Sequence, residues 1–268
     1  MAIVSPDRLK SHPLAGRPVP QAGRGAMVRA RQVPFDAGDA RGREPLVDAR
    51  AHGLQGESYY AIRDGRNPPY GTPIAGAIPD LLVRRGVAEA LARVERALAP
   101  YGLALWLHDG WRPLATQRGL WDFYERKVRR GHPSWSDMQV THEVSTFIAD
   151  PRGFDENDPG TWPPHLTGGA VDVALRERDS GMLVDFGAGF DEAGQRSETD
   201  FFERELAAGR IGPDDPRLLA RRILTHAMAA EGLTNYPEEY WHFDLGTRLW
   251  AAVRGGGAAA FYRPVLQP

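Results

Sequence analysis

The chain has 268 residues, 42% of them hydrophobic, enough to bury a sizeable core within one large domain or two small ones. A formal net charge of -2 and a pI near 6.5 leave no basic footprint for a phosphate backbone, so no nucleic-acid partner is expected. With no cysteine, disulfides and thiolate metal sites are excluded, and any metal must be held by His, Asp or Glu.

From Met1 to about Gly53 the sequence is rich in Pro, Gly, Arg and Ala and has no sustained period. This reads as an N-terminal arm or partly ordered extension over 1–53, followed by a single domain over 54–268. Met1 to Pro20 lacks the apolar core of a signal peptide, and no later stretch approaches the roughly 20 apolar residues of a membrane span. The expectation is a soluble, cytoplasmic protein with no membrane partner; the oligomeric state is left open.

The first strong helix is predicted from about Val83 to Pro100, with Val87, Leu91, Val94 and Leu98 on one face and a stop at Gly102. Leu103 to His108 reads as a short buried strand that delivers Asp109-Gly110-Trp111-Arg112-Pro113 at its exit. Pro113 then suits the first turn of a helix over about Leu114 to Arg130, which stops at Gly131. Pro133 to Pro164 reads as a long loop. Ala170 to Leu175 reads as a strand with Val171 and Val173 on one side and Asp172 on the other. A further helix is predicted over about Pro216 to Glu231, and a last strand over Tyr240 to Leu245. Helices before and after a few strands, without a regular β-α-β alternation, indicate an α+β fold: a small, mostly antiparallel sheet flanked by helices.

The segment His165-Leu-Thr-Gly-Gly-Ala-Val-Asp172 sets a histidine, a glycine-permitted bend and a strand-borne carboxylate within eight residues. Imidazole nitrogen and carboxylate oxygen both bind zinc at about 2.0 Å, and three protein ligands plus one water make an open, catalytic tetrahedron. His242, in an aromatic strand, is the candidate third ligand. Glu239 precedes it by three residues. In a turn after Pro237 it is placed to take a proton from zinc-activated water and pass it to a leaving amine, whereas strict strand alternation would turn it away. The same residues also admit an ordinary reading, with His165 in a loop, Asp172 capping a strand end and His242 bonded to a core carbonyl. His142 and Glu143 form a rival source of ligands.

Three segments taken in order resemble the zinc D-alanyl-D-alanine dipeptidases, the family that includes the vancomycin-resistance dipeptidases. They are Asp109-Gly-Trp-Arg112-Pro113, His165 through Asp172, and Thr234-Asn-Tyr-Pro-Glu-Glu239-Tyr-Trp-His242-Phe-Asp244. A weaker fourth is Asp185-Phe-Gly-Ala-Gly-Phe-Asp191. The resemblance implies a zinc dipeptidase domain with one Zn2+ per chain in a cleft on the sheet, ligated by His165, Asp172 and His242, with Glu239 as general base. It further implies that Arg112 stabilises the developing oxyanion, a task suited to a permanently charged, rigid donor. Asp191 corresponds to the aspartate that reads the free amino group of a small dipeptide substrate, and Tyr60 to its tyrosine partner. Pro163-Pro164 departs from the family, whose resistance enzymes carry serines there, and prolines offer neither hydroxyl nor N–H. A D,D-carboxypeptidase acting on longer cell-wall peptides, a two-histidine, one-carboxylate iron oxygenase, and a non-catalytic zinc module like the hedgehog signalling domain remain alternatives.

Overall fold

The computed structural model describes residues 6–21 and 25–268. Two short helices, α1 (Pro6–Lys10) and α2 (Ala26–Ala30), lie within the expected arm, and strand β1 (Leu46–Asp48) follows. Leu9 of α1 is buried in the main core, and Arg222 donates to the Ala15 carbonyl at 3.1 Å. β1 pairs antiparallel with β2 (Leu82–Arg84), with Val47 opposite Val83. α3 (Arg85–Leu98) buries Val87, Leu91, Val94 and Leu98, the stripe expected from their spacing.

The main sheet is antiparallel, with strand order β3 (Leu103–Asp109), β4 (Ala170–Glu177), β6 (His242–Asp244) and β5 (Thr234–Asn235). Leu105 lies opposite Leu175, Leu107 opposite Val173, and Val171 opposite Phe243. These residues line one face and form the main core with α3 and α7 (Pro216–Ala230). The other face carries Asp172 opposite His242 and Ala170 opposite Asp244. Helices on one side of a small antiparallel sheet make an α+β fold.

The register of β3 shifts between Leu107 and Asp109, so that Asp109 rather than His108 faces Asp172. An extra residue in one strand reverses which side chain meets the partner. Asp109, Asp172 and His242 therefore form a row across three strands, on the face away from the main core.

α4 (Leu114–Gly131) starts at Leu114 as the sequence suggests, with Pro113 at its N-cap instead of within its first turn. The expected loop from 133 to 164 holds α5 (Asp137–Val144), which begins with a reciprocal cap between Ser136 and Gln139. α4 and α5 pack with Tyr59, Tyr60, Ile62 and Tyr70 in a second apolar cluster. α6 (Phe201–Ala207) precedes α7, and α8 (Arg248–Arg254) follows β6 and packs on α2. The last strand is shorter than expected, because Tyr240 and Trp241 belong to the turn that enters it. No helix among the described residues is long and apolar enough to cross a membrane.

Candidate metal centre and active site

His165 opens a short 3-10 turn, His165–Thr167, that ends at Gly168 with φ 72°. A β-carbon on Gly168 would lie 2.4 Å from Leu46, so the position needs glycine for its backbone angle and for space. The tight turn returns the chain into β4, where Asp172 sits two residues beyond Ala170. The Arg112 amide donates to the His165 carbonyl at 3.2 Å, and Trp111 donates through its indole to the Leu166 carbonyl at 3.1 Å. These bonds fasten the segment after β3 to the one before β4.

His165, Asp172 and His242 converge, each buried. His165 Nε2 lies 3.2 Å from His242 Nδ1 and 3.4 Å from Asp172 Oδ1, and His242 Nδ1 lies 3.1 Å from the same oxygen. Tetrahedral ligands at about 2.0–2.1 Å from zinc stand about 3.3–3.4 Å apart, so the spacing matches three corners of such a site. The outer ring nitrogens are engaged. His165 Nδ1 donates to the Gly110 carbonyl at 2.8 Å, and His242 Nε2 donates to Asp244 Oδ2 at 2.9 Å. With those protons outward, neutral rings turn two bare nitrogens toward one carboxylate oxygen, an arrangement that a cation relieves. Thr247 in turn donates to Asp244 at 2.7 Å. The donor set therefore fits a metal ion, and its nitrogen and oxygen chemistry suits zinc.

The charges around this point have physical causes. Burial opposes ionisation of both His242 and Asp172, but in the absence of a cation the carboxylates of Asp244 and Asp172 raise the His242 ring well above its ordinary pKa, so a metal ion would compete with the inward proton of that ring for its neutral form. Its two histidine neighbours hold Asp172 below the usual carboxylate range. Glu239 lies in the Tyr236-to-Glu239 turn after Pro237, closed by its amide donating to the Tyr236 carbonyl at 3.0 Å. Its Oε2 stands 3.8 Å from His242 Nδ1, and 36% of its side-chain surface stays open to the cavity. Burial, reinforced by Asp172 and Asp191, pushes this carboxyl up to about 7.

Arg112 is buried and tied on several sides: to Asp109 at 2.8 Å, Gln117 at 3.1 Å, Tyr60 at 3.2 Å and Asp172 at 3.4 Å. Its guanidinium also lies over the Tyr60 ring, 4.7 Å from the centroid. Burial works against its charge, but the surrounding phenol and carboxylates outweigh that and raise its pKa. Asp191 adopts a left-handed φ of 61° and accepts a hydrogen bond from the Tyr70 hydroxyl. Burial pushes its carboxyl up to about 6. Tyr60, expected beside Asp191, bonds Arg112 instead; the tyrosine that bonds Asp191 is Tyr70.

All seven residues singled out from the sequence line a single cavity of about 540 Å³, including its open mouth. His142 and Glu143 do not line it. Sequence reasoning missed Asp109, Gln117, Tyr70 and Asp244 as supporting groups. Asp244 had a signal, since a carboxylate two residues from a strand histidine shares its face. The contacts of Tyr70 and Gln117 depend on tertiary packing and left no local signal.

A buried His, Asp, His cluster beside a raised glutamate and a fixed arginine defines a metallopeptidase type of site. A family model described as D-ala-D-ala dipeptidase matches residues 45–254, and the chain belongs to that family and is a peptidase. It is similar to the D-alanyl-D-alanine dipeptidase of Synechocystis, 32% identical over 220 residues, covering 78% of this chain and 84% of that protein. It is also similar to the D-alanyl-D-alanine dipeptidase of Enterococcus faecalis, 27% identical and covering 75% and 90%. Among solved structures, the vancomycin resistance D,D-pentapeptidase VanY in complex with Zn(II) aligns over 73% of this chain and 92% of its own, at 15% identity and TM-score 0.39.

Proposed function

We propose that the chain is a zinc-dependent D,D-dipeptidase that hydrolyses a small dipeptide such as D-Ala-D-Ala. The observation that carries the proposal is the triangle of His165, Asp172 and His242 donor atoms at tetrahedral spacing, with the Glu239 carboxylate 3.8 Å from one corner. A bound zinc ion would polarise the scissile carbonyl and make water a nucleophile near neutral pH.

The remaining roles belong to the chain's own side chains. Glu239, whose carboxyl is raised to about 7, takes the proton of the attacking water and returns it to the leaving amine. Both transfers need a group that loses and regains a proton near neutrality. Arg112 is charged and fixed by Asp109 and Gln117, so it meets negative charge developing on the carbonyl oxygen with little reorganisation. Asp191 pairs with the substrate's free ammonium, which a residue within a longer chain lacks. The match of the family model and the names of the curated relatives support this reading.

The test uses zinc-loaded protein, which should release free D-alanine from D-Ala-D-Ala. Glu239→Ala should retain about one zinc per chain while turnover falls by about 10²–10⁴-fold. Unchanged turnover in that variant removes the base from Glu239. Cleavage confined to longer cell-wall peptides replaces the dipeptidase reading with a D,D-carboxypeptidase.

A further inference from the structure

Two apolar groups border the cavity, and they belong to different parts of the chain. Phe147 and Ile148 join the second cluster, where Phe147 stacks on Tyr124 at 4.9 Å. The Tyr124 hydroxyl is 3.3 Å from that of Tyr70, which bonds Asp191. This side is therefore the Asp191 end. Met27, Tyr236 and Leu249 belong to a third cluster with Ala26 and Ala30. The Tyr236 ring stands 5.8 Å from the His242 ring, which places this cluster next to the triad.

Met27 lies on α2, outside residues 45–254 matched by the family model. Ala26 and Ala30 bury one side of that helix against α8, leaving Met27 half-buried at the cavity and Val28 67% exposed. The N-terminal segment thus adds a wall that the matched region does not contain. An unbranched thioether side chain adapts to different apolar shapes more readily than a branched one.

We infer that Met27, Tyr236 and Leu249 form a subsite for the side chain of the leaving residue, and that the preferred dipeptide carries there an apolar D-amino acid larger than alanine. The inference rests on the dipeptidase reading: with the ammonium at Asp191 and the scissile bond at the triad, the leaving residue extends toward Met27. The match is hydrophobic. A medium apolar side chain fills the space between thioether, phenol ring and leucine, whereas an acidic one loses its hydration against those three apolar surfaces.

The test compares kcat/KM for D-Ala-D-Ala, D-Ala-D-Leu and D-Ala-D-Asp in the zinc enzyme, with Met27→Lys and Val28→Lys as variants. D-Ala-D-Leu should exceed D-Ala-D-Ala by about tenfold, in line with partial burial of the three carbons that leucine adds, and D-Ala-D-Asp should be poorest. Met27→Lys should remove most of the preference for leucine, while Val28→Lys on the exposed side leaves it unchanged. Calorimetric binding of the same dipeptides to zinc-loaded Glu239→Gln should give the same order without turnover. Equal values for leucine and alanine, or equal losses for both in Met27→Lys, overturn the subsite while leaving the dipeptidase reading intact. If no dipeptide is cleaved and none binds, the dipeptidase reading fails and the subsite fails with it.

Discussion

The two faces of the four-stranded sheet are built from the same strands by opposite rules. One face sets Leu105 against Leu175, Leu107 against Val173 and Val171 against Phe243, and α3 and α7 seal it. The other sets Asp109 against Asp172, Asp172 against His242 and Ala170 against Asp244. Both faces are buried, so each site-face polar group needs a partner, and beyond one another these are His165, Arg112 and Thr247. Burial alone therefore does not separate core from site. What separates them is that core contacts are interchangeable in kind, whereas every site contact is directional and leaves three donor atoms aimed at one point.

This contrast predicts that substitutions on the two faces fail differently. The largest effect is expected from His242→Ala, which deletes one corner of the donor triangle: zinc content should drop well below one per chain and turnover should vanish, with the folded spectrum retained. Metal analysis beside circular dichroism checks this, and full zinc occupancy in the variant would remove His242 from the ligand set. Leu105→Ala, on the core face of β3, should instead cost about 2–5 kcal/mol of stability while zinc content and turnover per folded molecule stay near wild type. Chemical denaturation paired with an activity assay decides between the two patterns. Asp244→Asn keeps the shape but weakens the acceptor that orients His242, so zinc affinity should fall about 10–100-fold with little change in stability. Competition with a chelator measures that loss, and an unaltered affinity would show that the ring is held by packing alone.

The difference between the faces also explains which parts of the molecule were legible in the sequence. The stripe Val87, Leu91, Val94 and Leu98 and the alternation of Val171 and Val173 announce burial through period alone, and the structure buries all of them. The bend at Gly168 that returns His165 toward Asp172 was legible too, because only a few residue types permit it. The turn that brings Glu239 to His242 was legible only as one of two options, a turn after Pro237 or a continued strand, and the structure has the turn. The shifted register at the end of β3 was not legible, since nothing in Leu107-His108-Asp109 distinguishes a shifted strand from a regular one. α5 hid in a segment rich in Pro, Gly and Asp, although Ser136 and Gln139 carry the spacing of a reciprocal cap. The packing of Leu9 and of α2 escaped notice because helices of five residues span too little chain to show a period.

The shifted strand end offers a smaller test, since it leaves His108 buried without a strand partner opposite it. Its ring stacks on Phe190 at 4.3 Å, and burial lowers its pKa to about 4, only partly opposed by Asp172. In the unfolded chain the ring titrates near about 6.5. Above that pH neither state carries the proton and the histidine has no effect on the pH dependence. Below it the unfolded chain binds a proton that the folded ring refuses, so stability falls progressively from pH 6.5 until the folded ring titrates near 4. Between pH 7.5 and 5.5 the loss from this group should be about 1 kcal/mol. His108→Phe keeps a ring against Phe190 and removes the titration. Buried carboxyls such as Asp191, raised to about 6, act in the opposite sense in both proteins and cancel in the comparison. Denaturation of wild type and variant at the two pH values should therefore show the wild type losing about 1 kcal/mol more than His108→Phe. Parallel losses would mean that the His108 ring reaches solvent and accepts its proton in the folded state.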